Sequence, residues 1–497
     1  MSGTSEDELR GVRALVMGLG RFGGGLGATR HLLRHGAEVT VTDLAKAETL
    51  AGSLGELSVE ERGRIAWRLG EHLDDDFAAA ELLVVNQAVP PGNRYVDLAR
   101  AAGARVTSEL ELFLDANPAR LVLVTGTQGK SSTATLVAGL AEAAGAFRRV
   151  HLGGNIGRSL LDALDDMTAD DLAVVEVSSY QLEHLGRGSA ARRGADVAVV
   201  TNLLEDHLAR HGTLDAYHGA KLRLLELLAP GGRAILPAEV QAAPGSAETV
   251  PAPWSGAGST PAGEAPSPLA REHVLPPAEQ VWTHGPDPAD LTLDLAGEGS
   301  FRHAALPLAP LAALALPGTF QRRNALCALG AGLALGFEPE PMAAAMPSIA
   351  GPPHRAQELG RFGAHAWRVV DNGVSTTPDS TLSILRELEA PVALVVGGRS
   401  KGQDLTDLAA AVAERCARVL CFGEAADELA GDLADAAPAL TTHPTVEEAI
   451  ASAFTAMTPG ETLLFSPACS SFDAYNNFQE RAHAFREALP PSVIQRR

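Results

Sequence analysis

The stretch LVLVTGTQGKSSTAT, residues 121–135, constrains the fold more than any other part of the chain. Its first four residues are apolar, and a short apolar run of this kind is typical of a buried parallel strand. The glycines that follow allow a sharp backbone turn into a helix, whose first amide groups and dipole favour an anion. The stretch therefore predicts a nucleotide-binding phosphate loop made of Gly126, Thr127, Gly129, Lys130, Ser131 and Ser132.

This loop is a shortened variant, because Val124 stands where the full motif has its first glycine. Lys130 is suited to place its ammonium on the outer phosphates of ATP, and the Ser131 hydroxyl is suited to ligate Mg²⁺. A plain glycine turn with an exposed lysine is the simpler alternative. We favour nucleotide binding, because the strand, the glycines, the lysine and the serine all agree with it.

Length and charge narrow the classes of protein that remain. A chain of 497 residues predicts about two to four domains. Forty basic and 61 acidic residues give a formal net charge of −21, which argues against nucleic acid or a membrane surface as partner. Four cysteines without a CxxC pair predict reduced thiols in a cytoplasmic protein. We expect no secretory signal, and no membrane helix, since residues 304–316 contain two prolines and fall short of ~20 residues.

The first hundred residues contain a second glycine-rich loop. A predicted strand over residues 12–17 leads into GLGRFG at 18–23, a helix follows to about residue 33, and a strand over 38–42 ends at Asp43. Such a βαβ unit can hold a diphosphate, and the acid can accept hydrogen bonds from a ribose or base. The motif alone is weak, and a simple packing turn is the alternative. The ligand need not be a redox cofactor.

Polar residues follow three predicted strands of the central region. Lys130 and Ser131 follow the strand over 121–124, Glu176 lies at the end of the strand over 172–177, and Asp206 and His207 follow the strand over 196–200. Parallel strands end at the same edge of a sheet, so these residues predict a Mg²⁺ site there. His207 alone would more often be an ordinary surface histidine. Residues 238–280, rich in Ala, Pro, Gly and Ser, predict a flexible insertion.

The last third of the chain alternates strands and helices again, which predicts a third α/β domain. Strands are expected over residues 367–370, 392–396, 419–422 and 462–465. Lys401 and the segment SPACSSFD at 466–473 follow two of these strands. We interpret Cys469 as a small buried residue and not as a nucleophile, because no histidine partner is identifiable nearby.

These motifs together resemble the Mur ligase family, the ATP-dependent amino-acid ligases of peptidoglycan synthesis. GTxGKS, GGNIG at 153–157, ExSSYQLE from Glu176, NxxEDHxxR from Asn202 and NALxAL from Asn324 occur in the order of the family. The tail SPACSSFDAYNNF, with GGRSKGQD at 397–404, is similar to the members that add D-glutamate.

The resemblance implies three domains in an α/β fold. They are a Rossmann-like domain for a UDP-linked substrate at 1–117, a central P-loop ATPase-type domain at 118–350 and a Rossmann-like amino-acid-binding domain at 351–497. It also implies an ATP- and Mg²⁺-dependent ligase, expected as a monomer, that adds D-glutamate to UDP-N-acetylmuramoyl-L-alanine through an acyl phosphate. Catalysis would consist mostly of positioning and charge neutralisation.

Residue roles are carried over by matching position. Lys130 would hold the ATP phosphates, and Ser131 and Glu176 would bind one Mg²⁺. His207 would bind a second Mg²⁺, together with Lys221 if that lysine is carbamylated. The resemblance assigns three residues to the nucleotide: Asn324, Arg355 and Asp371. It assigns seven to the UDP-substrate: Gly18, Gly20, Arg21, Phe22, Asp43, Asn155 and Gln181. It assigns four to D-glutamate: Ser375, Lys401, Ser471 and Phe478.

The chain departs from the family pattern mildly at Gln128 and Ser132, which replace the commoner Asn and Thr, and more strongly at two other places. Phe320 and Gln321 stand where His-Asn is common, and Gly373 stands where some members have a lysine. Other interpretations are an L-alanine-adding ligase, a non-catalytic nucleotide-binding relative and a nicotinamide-dependent oxidoreductase. The last leaves the phosphate loop unexplained. A folylpolyglutamate-type ligase would not need the N-terminal glycine-loop domain.

Overall fold

The structure is a computed structural model that describes residues 9–20, 23–156, 159–185, 194–240, 280–285, 289–295, 298–314, 316 and 318–492. It contains three β-sheets flanked by helices, which confirms the predicted α/β class. The chain forms two compact units, one of Met1–Ala313 with Arg323–Ile349 and the other of Leu314–Arg322 with Ala350–Arg497. The first two sheets belong to the first unit and the third sheet to the second.

The first sheet has five parallel strands in the order β3-β2-β1-β4-β5. The strands are β1 (Arg13–Met17), β2 (Glu38–Asp43), β3 (Ile65–Leu69), β4 (Leu82–Val85) and β5 (Arg105–Thr107). The helices are α1 (Gly24–Arg34), α2 (Ala51–Gly55), α3 (Val59–Gly63), α4 (Asp74–Ala79), α5 (Arg94–Ala101) and α6 (Glu109–Ala116). The strand β1 is central and buried from Ala14 to Met17, as its apolar sequence dictates.

The second sheet has nine strands in the order β14-β13-β12-β11-β10-β9-β6-β8-β7. The strands are β6 (Arg120–Thr125), β7 (Val150–Gly154), β8 (Leu172–Glu176), β9 (Ala195–Val200), β10 (Leu228–Pro237), β11 (Val281–His284), β12 (Leu291–Asp294), β13 (Ser300–His303) and β14 (Leu306–Pro310). The strands β6 to β12 all pair in parallel with one another, whereas β12, β13 and β14 form an antiparallel meander.

The helices of this region follow the same order along the chain. They are α7 (Lys130–Ala144), α8 (Ser179–His184), α9 (Leu208–His211), α10 (Leu214–Leu222), α11 (Thr319–Ala334) and α12 (Pro339–Ala345). Short 3₁₀ turns occur at Leu160–Asp162, Leu164–Asp166, Arg223–Leu227, Ala238–Val240, Leu311–Ala313 and Met346–Ser348. The boundary between the two units falls inside α11, after Arg322.

The third sheet has six strands in the order β15-β16-β20-β17-β18-β19, and only β15 is antiparallel to its neighbour. The strands are β15 (Gln357–Phe362), β16 (Trp367–Asp371), β17 (Val392–Gly397), β18 (Cys416–Phe422), β19 (Leu440–His443) and β20 (Thr462–Ala468). The helices are α13 (Pro378–Glu387), α14 (Thr406–Arg415), α15 (Ala426–Leu433), α16 (Val446–Ala456) and α17 (Phe478–Glu487).

The predicted strands are all present, but the antiparallel meander was not predicted. The apolar residues 304–316 contribute β14 and a 3₁₀ turn to it. Most of the expected insertion, residues 241–279, lies outside the described residues. Among the helices that the structure describes, none is long and apolar enough to cross a membrane.

Candidate active site

The phosphate loop lies between β6 and α7, and β6 lies between β9 and β8 in the second sheet. Gly129 caps α7 with φ of 80°, a left-handed conformation that glycine adopts without strain. A Cβ atom at this position would collide with the side-chain amide of Asn324. The sequence assigned Asn324 to the nucleotide, and the fold places this residue directly against the phosphate loop.

The end of β9 braces the phosphate loop from one side. The Thr127 amide donates to the carbonyl of Asn202 at 3.1 Å, and the Gln128 amide donates to the Asn202 side-chain oxygen at 2.9 Å. The Thr127 hydroxyl donates to the carbonyl of Leu204 at 3.1 Å. The loop therefore keeps its shape through bonds to the end of the neighbouring strand, in which the amides of Thr127 and Gln128 are already engaged.

Ser131 and Glu176 meet at the same edge of the sheet. Glu176 ends β8, where it pairs in register with Val124 of β6. The Ser131 hydroxyl donates to Glu176 Oε2 at 2.6 Å, and both side chains are buried. Hydroxyl and carboxylate oxygens are the hard donors that suit Mg²⁺, which commonly takes one or two carboxylates plus substrate phosphates. In the described parts of the chain, no group of three or more His, Cys, Asp or Glu side chains could hold a metal by itself.

Lys221 lies beneath the phosphate loop on α10. Its side chain is only 1% exposed, and its Nζ donates to the carbonyl of Gly126 at 2.8 Å. The same Nζ lies 4.4 Å from the ring centre of Tyr217. Burial, with the nearby charge of Lys130, lowers the pKa of Lys221 to about 7. A substantial fraction of this lysine is therefore a neutral amine at neutral pH.

His207 lies at the start of α9, in a left-handed conformation with φ of 53°. Its ring Nδ1 is 3.3 Å from the Tyr180 hydroxyl, and its backbone amide donates to Asp206 at 2.7 Å. Partial burial lowers the pKa of His207, opposed by Asp206 and reinforced by the charges of Lys221 and Lys130. The imidazole therefore shares one electrostatic environment with both lysines, and its neutral form, which can bind a metal, is favoured.

The glycine loop of the first sheet approaches the end of β2. Gly18 has φ of 93°, and a Cβ atom there would lie 2.9 Å from the Cβ of Asn86. The Gly20 amide donates to Asp43 Oδ2 at 3.2 Å, and the Ala45 amide donates to Asp43 Oδ1 at 2.8 Å. The predicted Gly18, Gly20 and Asp43 therefore come together. Arg21 and Phe22 lie outside the described residues.

Asn155 and Gln181 are both predicted to meet the UDP-substrate, and Asn155 contacts Glu176. The Asn155 amide nitrogen donates to Glu176 Oε1 at 3.1 Å. The Gln181 side chain is buried and closes the capping box of α8, where its oxygen accepts the Ser178 amide at 2.9 Å. The glycines before Asn155, Gly153 and Gly154, form the end of β7.

Asp371 ends β16 in the second unit and is fully buried. Its Oδ2 accepts from His354 Nδ1 and from Arg486 Nε, both at 2.7 Å, and its Oδ1 accepts the Gly373 amide at 2.9 Å. Gly373 has no room for a side chain, because a Cβ atom would lie 2.7 Å from the Cβ of Ala482. A nucleotide role for Asp371 stays a prediction.

The residues predicted for D-glutamate follow the ends of parallel strands in the second unit. Ser375 follows β16, Lys401 follows β17, Ser471 follows β20, and Phe478 starts α17. Ser375 and Ser471 are buried and Lys401 is exposed. Arg355, assigned to the nucleotide, lies between two residues of positive φ just before β15.

Arg481 of α17, which the sequence did not single out, ties these strand ends together. Its guanidinium is completely buried and donates to the carbonyls of Cys469 at 2.9 Å, Gly397 at 3.2 Å and Ser375 at 3.2 Å. Burial lowers the pKa of Arg481 to about 10. The charge faces carbonyl oxygens from the ends of three strands, so it fixes the segments that carry the predicted D-glutamate residues.

Comparisons with known proteins agree with this arrangement. A family model described as the Mur ligase middle domain matches residues 124–253, and one described as the Mur ligase, glutamate ligase domain matches residues 354–469. A relative from Geobacter metallireducens is 34% identical over 486 residues, which cover 97% of this chain and 98% of the relative. The chain therefore belongs to the Mur ligase family.

The relatives have more specific names. The one from Geobacter metallireducens is named UDP-N-acetylmuramoylalanine--D-glutamate ligase. A relative from a Roseiflexus species has the same name and is 33% identical over 503 residues, which cover 97% of this chain and 99% of the relative.

Solved structures show the same fold. UDP-N-acetylmuramate-alanine ligase MurC from Thermotoga maritima matches with a TM-score of 0.58 and 17% identity, over 95% of this chain and 98% of that one. The MurF ligase from Thermotoga maritima in complex with ADP matches with a TM-score of 0.54 and 16% identity, over 97% of this chain and 95% of that one.

Proposed function

We propose that this protein joins D-glutamate to UDP-N-acetylmuramoyl-L-alanine in an ATP-dependent amide-forming reaction of peptidoglycan precursor synthesis. The single observation that carries the proposal is the convergence of Ser131, Glu176 and two lysines on the phosphate loop. The names of relatives that match 97% of the chain support the choice of D-glutamate.

The proposed reaction has two steps. A carboxylate oxygen of the alanyl substrate attacks the γ-phosphorus of ATP, the bond to ADP breaks, and an acyl phosphate forms. The amine of D-glutamate then attacks the acyl carbon, and the tetrahedral intermediate expels inorganic phosphate as the amine loses a proton. In this scheme the Lys130 ammonium and the loop amides neutralise the phosphate charge, and they act mainly by positioning and electrostatics.

The donor set fits Mg²⁺ bound to ATP. Ser131 and Glu176 would hold one ion, and it would neutralise charge on the transferring phosphoryl group. His207 would contribute to a second, with Lys221 after carbamylation. In that modification the neutral Lys221 amine attacks CO₂, a nitrogen–carbon bond forms, and a proton is released, so that the cation becomes an anionic oxygen ligand.

The second unit would supply the D-glutamate. Ser375, Ser471 and Phe478 would shape its pocket, and Lys401 would pair with a carboxylate as a point charge. Asn324, Arg355 and Asp371 would contact the nucleotide, and Gly18, Gly20, Arg21, Phe22, Asp43, Asn155 and Gln181 the UDP-substrate. Action as a monomer in the cytoplasm also stays a prediction. The four cysteines, all free and buried, are compatible with a reducing compartment.

An amino-acid screen tests the proposal. The purified protein is incubated with UDP-N-acetylmuramoyl-L-alanine, ATP and Mg²⁺, and phosphate release is followed with D-glutamate, L-glutamate and L-alanine. We expect release only with D-glutamate, and loss of that release in Lys130→Ala. Arg100→Ala, which removes an exposed cation from α5, is the control and should retain full activity. Undiminished turnover in Lys130→Ala would refute its role.

A further inference from the structure

Gln87, in the loop after β4, connects the first sheet to the second through its side chain. Its Oε1 accepts a hydrogen bond from the Ser178 hydroxyl at 2.8 Å. Its Nε2 faces Asn155 Oδ1 at 3.4 Å, a longer contact. Ser178 caps the start of α8 and Asn155 follows β7, so one side chain from the first sheet reaches two elements beside Glu176.

The start of α8 fixes the direction of these bonds. The Ser178 oxygen already accepts the amide of Gln181 at 3.1 Å as the helix cap. Its hydroxyl proton is therefore left to donate, and the acceptor in reach is the carbonyl oxygen of the Gln87 side chain. The amide nitrogen of Gln87 must then point to the other side, toward Asn155.

The same logic continues to the phosphate loop. Asn155 presents its oxygen to Gln87, so its nitrogen faces Glu176 Oε1, with which it is bonded at 3.1 Å. Glu176 Oε2 accepts from Ser131 at 2.6 Å. A carboxylate can only accept, so the orientation deduced from Ser178 agrees with the one that Glu176 requires. The result is a chain of hydrogen bonds that is directed from Ser178 to Glu176, and Glu176 also accepts from Ser131.

The loop that carries Gln87 is also held by Arg210 and His184. Arg210 donates to the carbonyls of Val89 at 2.7 Å and Ala88 at 3.2 Å, and pairs with Glu183 at 3.0 Å. His184 Nε2 also lies 2.9 Å from the Val89 carbonyl. These bonds fix the backbone directly after Gln87, so the position of the Gln87 side chain does not depend on the chain of bonds alone.

We propose that Gln87 is a positioning residue, which orients the Asn155 amide and through it the Glu176 carboxylate. This inference rests on the proposed function, in which Asn155 meets the UDP-substrate and Glu176 serves the phosphate loop. Gln87 thereby links a residue assigned to the UDP-substrate to the phosphate loop through side chains, and it affects the reaction without touching the reacting atoms.

Two substitutions separate this role from simple packing. Gln87→Ala removes both bonds and frees the Asn155 amide to rotate. Gln87→Glu keeps the size of the side chain and the bond from Ser178, but it places a carboxylate oxygen against Asn155 Oδ1. This repulsion favours a flipped side-chain amide of Asn155, whose oxygen then faces the Glu176 carboxylate. Gln87→Glu should therefore be the more harmful change, whereas a packing role would make Gln87→Ala the worse one.

The first measurement is calorimetric binding of UDP-N-acetylmuramoyl-L-alanine without metal. We expect the affinity to fall about 3- to 10-fold in Gln87→Ala and further in Gln87→Glu, as for the loss of one or two hydrogen bonds. In an Asn155→Ala background both effects should disappear, because the double-mutant cycle removes the residue through which Gln87 acts. Asn93→Ala, which removes a helix cap from the same connection, is the control and should bind normally.

The outcomes distinguish this inference from the proposed function. If the wild type binds the substrate and uses D-glutamate, equal affinities of wild type, Gln87→Ala and Gln87→Glu would overturn the inference alone. If the wild type does not bind this substrate, the proposed function fails. The inference is then decided by the affinity for ADP, measured with and without Mg²⁺. Gln87→Glu should reduce the gain in affinity that Mg²⁺ provides, and an unchanged gain would overturn the inference.

Discussion

Lys130 and Lys221 donate hydrogen bonds to the same acceptor, the carbonyl oxygen of Gly126, at 3.0 and 2.8 Å. Two ammonium groups so close repel each other, and the buried one responds most. Burial and the Lys130 charge bring the pKa of Lys221 to about 7. The phosphate loop thus holds one lysine for the phosphates and prepares the other as a neutral amine.

The Lys130→Met substitution should raise the pKa of Lys221, because it removes a neighbouring positive charge while Glu176 and Asp206 remain. If Lys221 reacts with CO₂, the midpoint of carbamate formation will move to higher pH. The measurement is the ¹³C signal of the carbamate in protein equilibrated with ¹³C-bicarbonate over a range of pH. Lys221→Met must lack the signal, and an unchanged midpoint in Lys130→Met would contradict the coupling.

The Lys221→Met substitution should change how stability depends on pH. With a pKa of about 7 in the folded state against the ordinary lysine value of 10.5, the unfolded chain binds more protons between these values. Stability of the wild type therefore rises with pH through this window, and the cost of the buried lysine is greatest below pH 7. Lys221→Met removes that cost.

The check is thermal unfolding of both proteins in CO₂-depleted buffer at pH 6 and pH 9.5. We expect the melting temperature of Lys221→Met to exceed that of the wild type by more at pH 6 than at pH 9.5. A difference that is the same at both values would mean that the pKa of Lys221 is not lowered in the folded protein.

Much of the site could be predicted because parallel strands end at one edge of a sheet. Ser131 and Glu176 follow neighbouring strands, so their meeting at 2.6 Å follows from sequence order and strand type. The sharing of Gly126 by two lysines could not be predicted. Lys221 lies on a helix whose pattern is equally typical of a solvated lysine, and only the packing of α10 under the loop buries it.

Gln87 and Arg481 were missed for related reasons. The partners of Gln87 lie 68 and 91 residues away in sequence, so its bonds depend on how the first sheet faces the second. Arg481 lies on a helix with many charged residues, where an arginine is normally exposed. Arg210 lies in the NxxEDHxxR motif, which indicated that the residue is important. The motif did not indicate that Arg210 holds the loop that carries Gln87.

The Gly129→Ala substitution should be more harmful than Gly145→Ala, although both glycines flank α7 with positive φ. An alanine at 145 meets open space, so it should cost only the backbone strain, about 1 kcal/mol of the free energy of unfolding. An alanine at 129 adds a collision with Asn324. We expect it to cost at least twice as much and to weaken ATP binding.

Urea unfolding and nucleotide titration provide the two measurements. The double variant Gly129→Ala with Asn324→Ala should recover the part of the unfolding free energy that the collision costs, but not the strain. If Gly129→Ala and Gly145→Ala are equally destabilising, Asn324 does not lie against the phosphate loop as described.

The Arg481→Met substitution should destabilise the second unit and weaken the use of D-glutamate. It leaves the carbonyls of Cys469, Gly397 and Ser375 buried without their donor, and unpaired buried groups cost about 1–3 kcal/mol each. We expect a loss of about 3 kcal/mol in the free energy of unfolding, since relaxation or water will satisfy part of the set. His483→Ala, on an exposed part of α17, should stay within about 0.5 kcal/mol.

Arg481→Lys separates geometry from charge at the same position. An ammonium keeps the positive charge, but it cannot spread its donors over the ends of three strands as the planar guanidinium does. The KM for D-glutamate should therefore rise in Arg481→Lys while the KM for ATP changes little, because the segments with Ser375, Lys401 and Ser471 lose their common anchor. Equal rises in both KM values would instead indicate general loss of folded enzyme, and an unchanged KM for D-glutamate would show that Arg481 serves stability alone.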